Sequence, residues 1–156
     1  MTSLFLSNLR TEFFVRLAVG SVLSVTSMTA GAEYSAAEFF PIEPDNFWVY
    51  DDGDGGWTTT VEPSWVDVNG VATRQLTDSN GWTSWMTNDE SGLRMHRSFS
   101  PDEDLPGHTE NLAVTRTYFP PVKVLEPVFH SGQHYALSVE VTIEIEGLGT
   151  FPGSYT

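Results

Sequence analysis

The sequence predicts an all-β fold, an antiparallel meander of short strands that forms a curved sheet, a half-barrel or a sandwich. Apolar and polar residues alternate along many segments, and turn sequences recur at intervals typical of sandwiches and barrels. No helical periodicity extends past Phe39, and 13 glycines, 9 prolines and 10 phenylalanines favour short strands joined by tight turns.

Residues 1–32 are predicted to be a secretory signal peptide. Arg10 and Arg16 precede an apolar stretch at Leu17–Val25, and Ala30-Gly31-Ala32 supplies the small residues of a cleavage site. The alternative, a membrane anchor, is disfavoured because the apolar stretch is too short for a hydrocarbon core of about 30 Å. We therefore expect a signal helix removed after Ala32, export to the periplasm or out of the cell, and one β-domain over 33–156 with no membrane span.

The elements of that domain follow from local signals. Ser35–Phe40 can form one helical turn, which Pro41 and Pro44 end. The predicted strands are 46–51, 57–62 with a continuation at 65–68, 71–79, 82–89, 93–99, 112–119, 122–125, 137–146 and 150–156.

Turn sequences separate these strands. Asn69-Gly70 and Asn80-Gly81 are two-residue hairpin signals, and Glu90-Ser91-Gly92 fits a three-residue loop with glycine in the left-handed conformation. The segment 100–110 is predicted to be a polar loop, and Pro120-Pro121 is predicted to interrupt a strand.

The two hairpin loops at 80–81 and 90–92 predict a register. Leu76 should face Trp85, Thr87 should face Met95, and Thr83 should face Phe99. Residues that share a face would then be Leu76, Trp85, Leu93, Met95 and Phe99 on the apolar side. The solvent side would carry Gln75, Met86, Arg94 and His96.

The segment 137–146 shows the clearest alternation, with aliphatic residues on one face and glutamates on the other. One more strand follows and leaves an open sheet edge, so we expect the domain to be incomplete at its C-terminus.

The opening segment Phe39–Tyr50, FFPIEPDNFWVY, resembles the "YFPL-x-x-G-N-x-W-x-Y" opening of exported bacterial β-rich proteins of unknown function. Asp45 stands where that group usually has glycine, and the segments 67–71 and 87–97 resemble later parts of the group. The resemblance implies export and a β-rich domain over about 39–156, without a particular activity. Members often continue with a "V-P-A-G-T-F" segment, so the resemblance also implies an N-terminal fragment. By analogy, such sheets are similar to the curved half-barrels of periplasmic lipoprotein carriers.

Composition and charge restrict the function. The 156 residues include 21 acidic residues against 7 Lys or Arg, a net charge of −14. Nucleic acid and anionic membranes are therefore poor partners, and the charge favours a monomer. The absence of cysteine excludes thiol catalysis and zinc–cysteine sites, and no sequence motif calls for a cofactor.

The candidate metal ligands have simpler interpretations. Asp51, Asp52 and Asp54 are weak calcium candidates, but they lack the EF-hand spacing and fit a solvated hairpin tip. The acidic loop 102–104 with Glu110 is a similar case. His130 and His134 are four residues apart, but Gly132 between them favours a turn over a zinc-binding helix.

Trp57 and Trp82 lie beside turns, so they are the tryptophans we expect to be exposed and able to stack on a sugar or another ligand. Tryptophans on strands more often belong to the core. No nucleophile elbow or phosphate-binding loop occurs, and we assign no catalytic residue.

Three functions remain open. The leading hypothesis is an exported, non-catalytic β-domain with a binding or structural role in the bacterial envelope or outside the cell. The second is a periplasmic carrier of a lipid or other apolar ligand, and the third is a hydrolase that acts on an envelope polymer.

Overall fold

The computed structural model describes residues 33–50, 56–130 and 138–155, which form ten strands and one short helix. The elements are β1 Glu33–Ser35, α1 Ala36–Phe39, β2 Phe47–Tyr50, β3 Trp57–Val68, β4 Val71–Asp78, β5 Thr83–Asp89, β6 Gly92–Glu103, β7 Leu112–Leu125, β8 Val128–His130, β9 Val139–Ile145 and β10 Gly149–Tyr155. The predicted signal peptide lies outside the described residues.

Eight strands form one antiparallel sheet in the order β2-β3-β4-β5-β6-β7-β9-β10. Each strand lies beside its neighbour in sequence, except that β8 leaves the sheet and pairs with β1. The sheet does not close into a barrel, because β2 and β10 remain at its two ends. The predicted all-β antiparallel meander is confirmed.

Several strands are longer than predicted. β3 runs from Trp57 to Val68 with an irregularity between Val61 and Trp65, and β6 extends to Glu103, into the segment predicted to be a loop. β7 passes through Pro120-Pro121. These prolines lie opposite a register shift in β6, where the ladder of hydrogen bonds is already interrupted. The N–H groups that proline lacks are therefore not needed for regular strand pairing.

The register between β4 and β5 differs from the prediction by one residue. Leu76 pairs with Ser84, and Trp85 pairs with Gln75. The loop is one residue longer than expected: the Asp78 N–H donates to the Trp82 carbonyl at 2.7 Å, and the Gly81 N–H donates to the Asp78 carbonyl at 2.9 Å. Gly81 has φ +88°, so the turn is a three-residue loop that ends on a left-handed glycine.

The loop between β5 and β6 is one residue shorter than predicted. Asp89 pairs with Gly92 and Met86 pairs with Met95, so the predicted Thr87–Met95 pair is wrong. An extra residue in β6 at His96 then shifts the register.

Beyond that shift the predicted Thr83–Phe99 pair is confirmed. Trp85 and Phe99 consequently lie on the opposite face from Leu76 and Met95, so the predicted single apolar set is wrong. Met86, expected in solvent, is buried in the core.

The corrected register defines two faces. The inner face carries the sheet residues of the hydrophobic core. One row of paired residues across this face consists of Val61, Leu76, Ser84, Ser98, Arg116, Ile143 and Phe151. The outer face carries the alternate residues of each strand. The alternation predicted for β9 is confirmed, since Val139 and Val141 are buried whereas Glu140 and Glu144 are exposed.

The N-terminal segment covers the inner face between β2 and β6. Its helical turn is α1, as predicted, and the Phe40 ring stacks on Trp48 with centroids 4.2 Å apart. The Asn88 side-chain amide donates to the carbonyls of Ala36 at 3.1 Å and Phe40 at 2.9 Å, which anchors α1 to the end of β5. This half of the inner face is therefore filled by the protein's own side chains.

No helix in the described segments has the length and apolar character needed to cross a membrane.

Candidate binding face

The outer face of the sheet carries a row of threonines that spans the sheet. Because paired residues on neighbouring strands share a face, seven successive pairings align eight side chains from β2 to β10. The row consists of Phe47, Thr60, Thr77, Thr83, Phe99, Thr115, Glu144 and Thr150. All of these residues are at least partly exposed, so the row presents hydroxyl groups to solvent from five different strands.

A second outer row lies two residues along and is centred on an aromatic–cation contact. Its members are Gln75, Trp85, Arg97, Thr117, Thr142 and Pro152. The Arg97 guanidinium carbon lies 5.8 Å from the Trp85 ring centroid, and Arg97 Nε donates to Thr117 Oγ1 at 3.1 Å. These two contacts hold the cation against the sheet beside the threonine row.

A groove of about 550 Å³ opens at the β6–β10 end of the threonine row. Four of its lining residues, Phe99, Thr115, Glu144 and Thr150, are consecutive members of that row. The remaining lining residues are Ala113, Ile145, Glu146, Gly147 and Gly149. The turn between β9 and β10 contributes the two glycines, so one wall of the groove is backbone without large side chains.

The groove combines three kinds of contact. The Phe99 ring offers an apolar surface, the Thr115 and Thr150 hydroxyls donate and accept hydrogen bonds, and the carboxylates of Glu144 and Glu146 accept them. An open surface with one aromatic ring and a few polar groups can contact a polar organic molecule through stacking and hydrogen bonds.

The tryptophans proposed from the sequence lie elsewhere. Trp57 is half-buried and stacks on Tyr50 with centroids 5.0 Å apart, while Trp82 is 38% exposed beside its turn. Neither lines the groove. Trp65 is more exposed, at 59%, and the Arg74 guanidinium lies 3.7 Å from its ring centroid.

His96 is buried, so the expectation of a surface imidazole is wrong. It occupies the irregularity in β6, and its Nε2 lies 3.0 Å from Thr87 Oγ1. Burial lowers the pKa of His96, partly opposed by the charge of Asp89, and the imidazole is neutral at pH 7. The Asp89 carboxylate itself accepts hydrogen bonds from the Ser91 N–H and hydroxyl, which lower its pKa.

The inner face between β6 and β10 contains a cluster of polar side chains, of which Tyr118 is buried and the others are partly buried. Arg116 forms an ion pair with Glu103, and the hydroxyls of Ser98 and Tyr118 lie 2.8 Å apart. Burial raises the pKa of Tyr118, so the phenol keeps its proton at neutral pH. Burial by itself would lower the pKa of Arg116, but the hydrogen bond and charge of Glu103 raise it above its ordinary value. Neither Tyr118 nor Arg116 is therefore suited to act as a general base.

The metal candidates are only partly described. Asp51, Asp52, Asp54 and His134 lie outside the described residues. His130 belongs to β8, with its Nε2 4.0 Å from a carboxylate oxygen of Glu33. Across 33–50, 56–130 and 138–155, no group of three or more His, Asp or Glu side chains is placed to hold a metal ion.

Comparison with protein-family models, with curated proteins and with solved structures finds no match for this chain. The resemblance of Phe39–Tyr50 to exported bacterial proteins therefore stays a prediction.

Proposed function

We propose that this chain is an exported, non-catalytic β-domain that binds an envelope or extracellular polymer on the outer face of its sheet. The groove over Phe99, Thr115, Glu144 and Thr150 carries the proposal, because it opens onto a row of hydroxyl groups that continues across the sheet. A polymer needs an elongated surface rather than a closed cavity, and the row supplies one.

The carrier hypothesis has less support. A carrier requires an apolar cavity for its ligand. The inner face between β2 and β6 is instead packed, with Val61, Leu76 and Leu93 at most 2% exposed and the Phe40–Trp48 stack above them.

The hydrolase hypothesis draws on the two carboxylates of the groove. Glu144 and Glu146 are two residues apart at the end of β9, so both approach a bound chain from the same wall. Glycosidases place their two carboxyl groups on either side of the scissile bond. The His96–Thr87 pair does not reproduce a triad either, because Asp89 hydrogen-bonds Ser91 instead of His96. Binding without cleavage fits this arrangement better.

Co-sedimentation with purified bacterial cell-wall sacculi tests the binding. The mature chain, 33–156, should sediment with the sacculi, and Phe99→Ala should weaken its binding about fivefold or more because the stacking surface is lost. Phe119→Ala is the matched control, since it removes an outer-face ring that is 70% exposed and does not line the groove. Equal retention of both variants would contradict the proposal, and so would failure of the parent chain to bind sacculi together with failure to bind any soluble polysaccharide tested.

Two further measurements separate the alternatives. Soluble reducing ends released from the sacculi would indicate the hydrolase, and lipid retained in native mass spectrometry of protein from its host would indicate the carrier. Export also predicts that the secreted protein has the mass of a chain that begins at Glu33.

A further inference from the structure

We infer that the groove selects an uncharged, hydroxyl-rich polysaccharide; this inference rests on the proposed polymer-binding function and specifies its ligand class. The relevant features are the sequence of side chains along the row, the charges of the groove and the position of Phe99.

The order of side chains places an aromatic ring between hydroxyl groups. Phe99 is flanked in its row by Thr83 on β5 and Thr115 on β7. Neighbouring strands are about 4.8 Å apart, so Thr83 and Thr115 each lie about the width of one sugar ring from Phe99. A sugar has an apolar face of C–H groups and a rim of hydroxyls. It therefore matches a phenyl ring bordered by hydroxyl groups on both sides.

The hydrogen-bonding groups match a ligand that both donates and accepts. The Thr115 and Thr150 hydroxyls can do either, whereas the Glu144 carboxylate only accepts. Sugar hydroxyls satisfy both kinds of partner. The row repeats this chemistry through Thr83, Thr77 and Thr60, so successive sugars of one chain would meet similar groups as they cross the strands.

The charges disfavour ionic polymers. The ionisable groups that line the groove are the carboxylates of Glu144 and Glu146, and the chain as a whole has a net charge of −14, so a polyanion is repelled. A polycation would be attracted to these carboxylates, but the Arg97 guanidinium in the adjacent outer row would repel it. An uncharged polymer avoids both conflicts.

Affinity electrophoresis in native gels tests this selectivity with one backbone in three charge states. The probes are hydroxyethylcellulose, which is neutral, carboxymethylcellulose, which is anionic, and quaternised cellulose, which is cationic; dextran provides a second neutral backbone. We expect at least one neutral polymer to retard the mature chain. Phe99→Ala should raise its dissociation constant about fivefold or more, Thr115→Val should raise it about threefold, and Phe119→Ala should leave it unchanged.

The outcomes separate this inference from the proposal beneath it. If Phe99-dependent retardation occurs in the anionic or the cationic gel but in neither neutral gel, the proposed selectivity is overturned, while polymer binding on the outer face still stands. Phe99-dependent binding to sacculi without retardation by either neutral polymer would have the same meaning. Failure in every gel together with failure to bind sacculi would overturn both. Thr115→Val preserves the β-branched shape, so it provides a second test if Phe99→Ala does not fold.

Discussion

Substitution of Gly92 by alanine should destabilise the fold more than the same change at any open turn. Gly92 begins β6 with φ +95°, and a Cβ placed on it would lie 2.3 Å from the Leu125 carbonyl oxygen and 2.9 Å from the Pro127 nitrogen. These are backbone atoms of β7 and its connection to β8, so they cannot rotate away as a side chain would. Either β6 or β7 has to move.

The magnitude combines two costs. An L-residue in the left-handed region costs about 1–2 kcal/mol. Real Cβ contacts are not found below 3.0 Å, so the carbonyl must shift substantially, and overpacking of that kind costs about 1–3 kcal/mol more. A total of about 2–5 kcal/mol is a large part of the roughly 5–15 kcal/mol that stabilises a typical domain.

Thermal and urea unfolding of residues 33–156 provide the measurement, and Gly70→Ala is the matched control. Gly70 also has positive φ, +81°, but no heavy atom lies within 4 Å of the added Cβ. At about 4 °C per kcal/mol, we expect the control to lower Tm by roughly 4–8 °C and Gly92→Ala by roughly 8–20 °C. Equal shifts for the two variants would refute the assigned β6–β7 contact.

Three further perturbations have defined outcomes. Burial lowers the pKa of His96 below its ordinary 6.5, so the neutral imidazole stabilises the fold above pH 6.5, and this stabilisation is lost as the pH falls toward the lower folded pKa. The urea midpoint of unfolding should therefore fall as the pH is lowered through this range, and His96→Gln should reduce that pH dependence. Arg116→Met should lower the free energy of unfolding by about 3–5 kcal/mol, because it leaves the Glu103 carboxylate largely buried and without its ion pair. In a double-mutant cycle, adding Glu103→Leu should recover most of that loss, and stability changes that simply add would exclude the coupling. Leu76→Ala should cost about 2–5 kcal/mol by denaturant titration, and a value below 1 kcal/mol would be inconsistent with its burial at the centre of the inner face.

The class of fold follows from sequence patterns that are local. The alternation in β9 depends only on adjacent residues, and the helical turn at Ala36–Phe39 ends before a proline, so both are visible without knowledge of the partners. Register is different, because it depends on the hydrogen-bonded size of each loop. Asn80-Gly81 is compatible with two loop lengths, and the sequence around His96 contains no signal that predicts an extra residue in β6.

The candidate binding face could not be predicted for the same two reasons, the length of the loop at Asn80-Gly81 and the extra residue at His96. With a two-residue loop at Asn80-Gly81, Thr77 would face Ser84 instead of Thr83, and the threonine row would be broken at its centre. The same two-residue loop places Phe99 in the predicted apolar set, although Phe99 lines the groove. The frequency of threonine in the strands is the signal available beforehand, but its meaning depends on pairings that span the whole sheet.

The attachment of α1 by Asn88 has a consequence for the order of maturation. The predicted cleavage site after Ala32 is immediately followed by β1, which pairs with β8, and by the carbonyls of Ala36 and Phe40 that Asn88 holds. A peptidase needs its substrate extended and accessible on both sides of the scissile bond. If the leader is removed there, the first strand must still be undocked at that moment, and the N-terminal segment closes over the sheet only after processing.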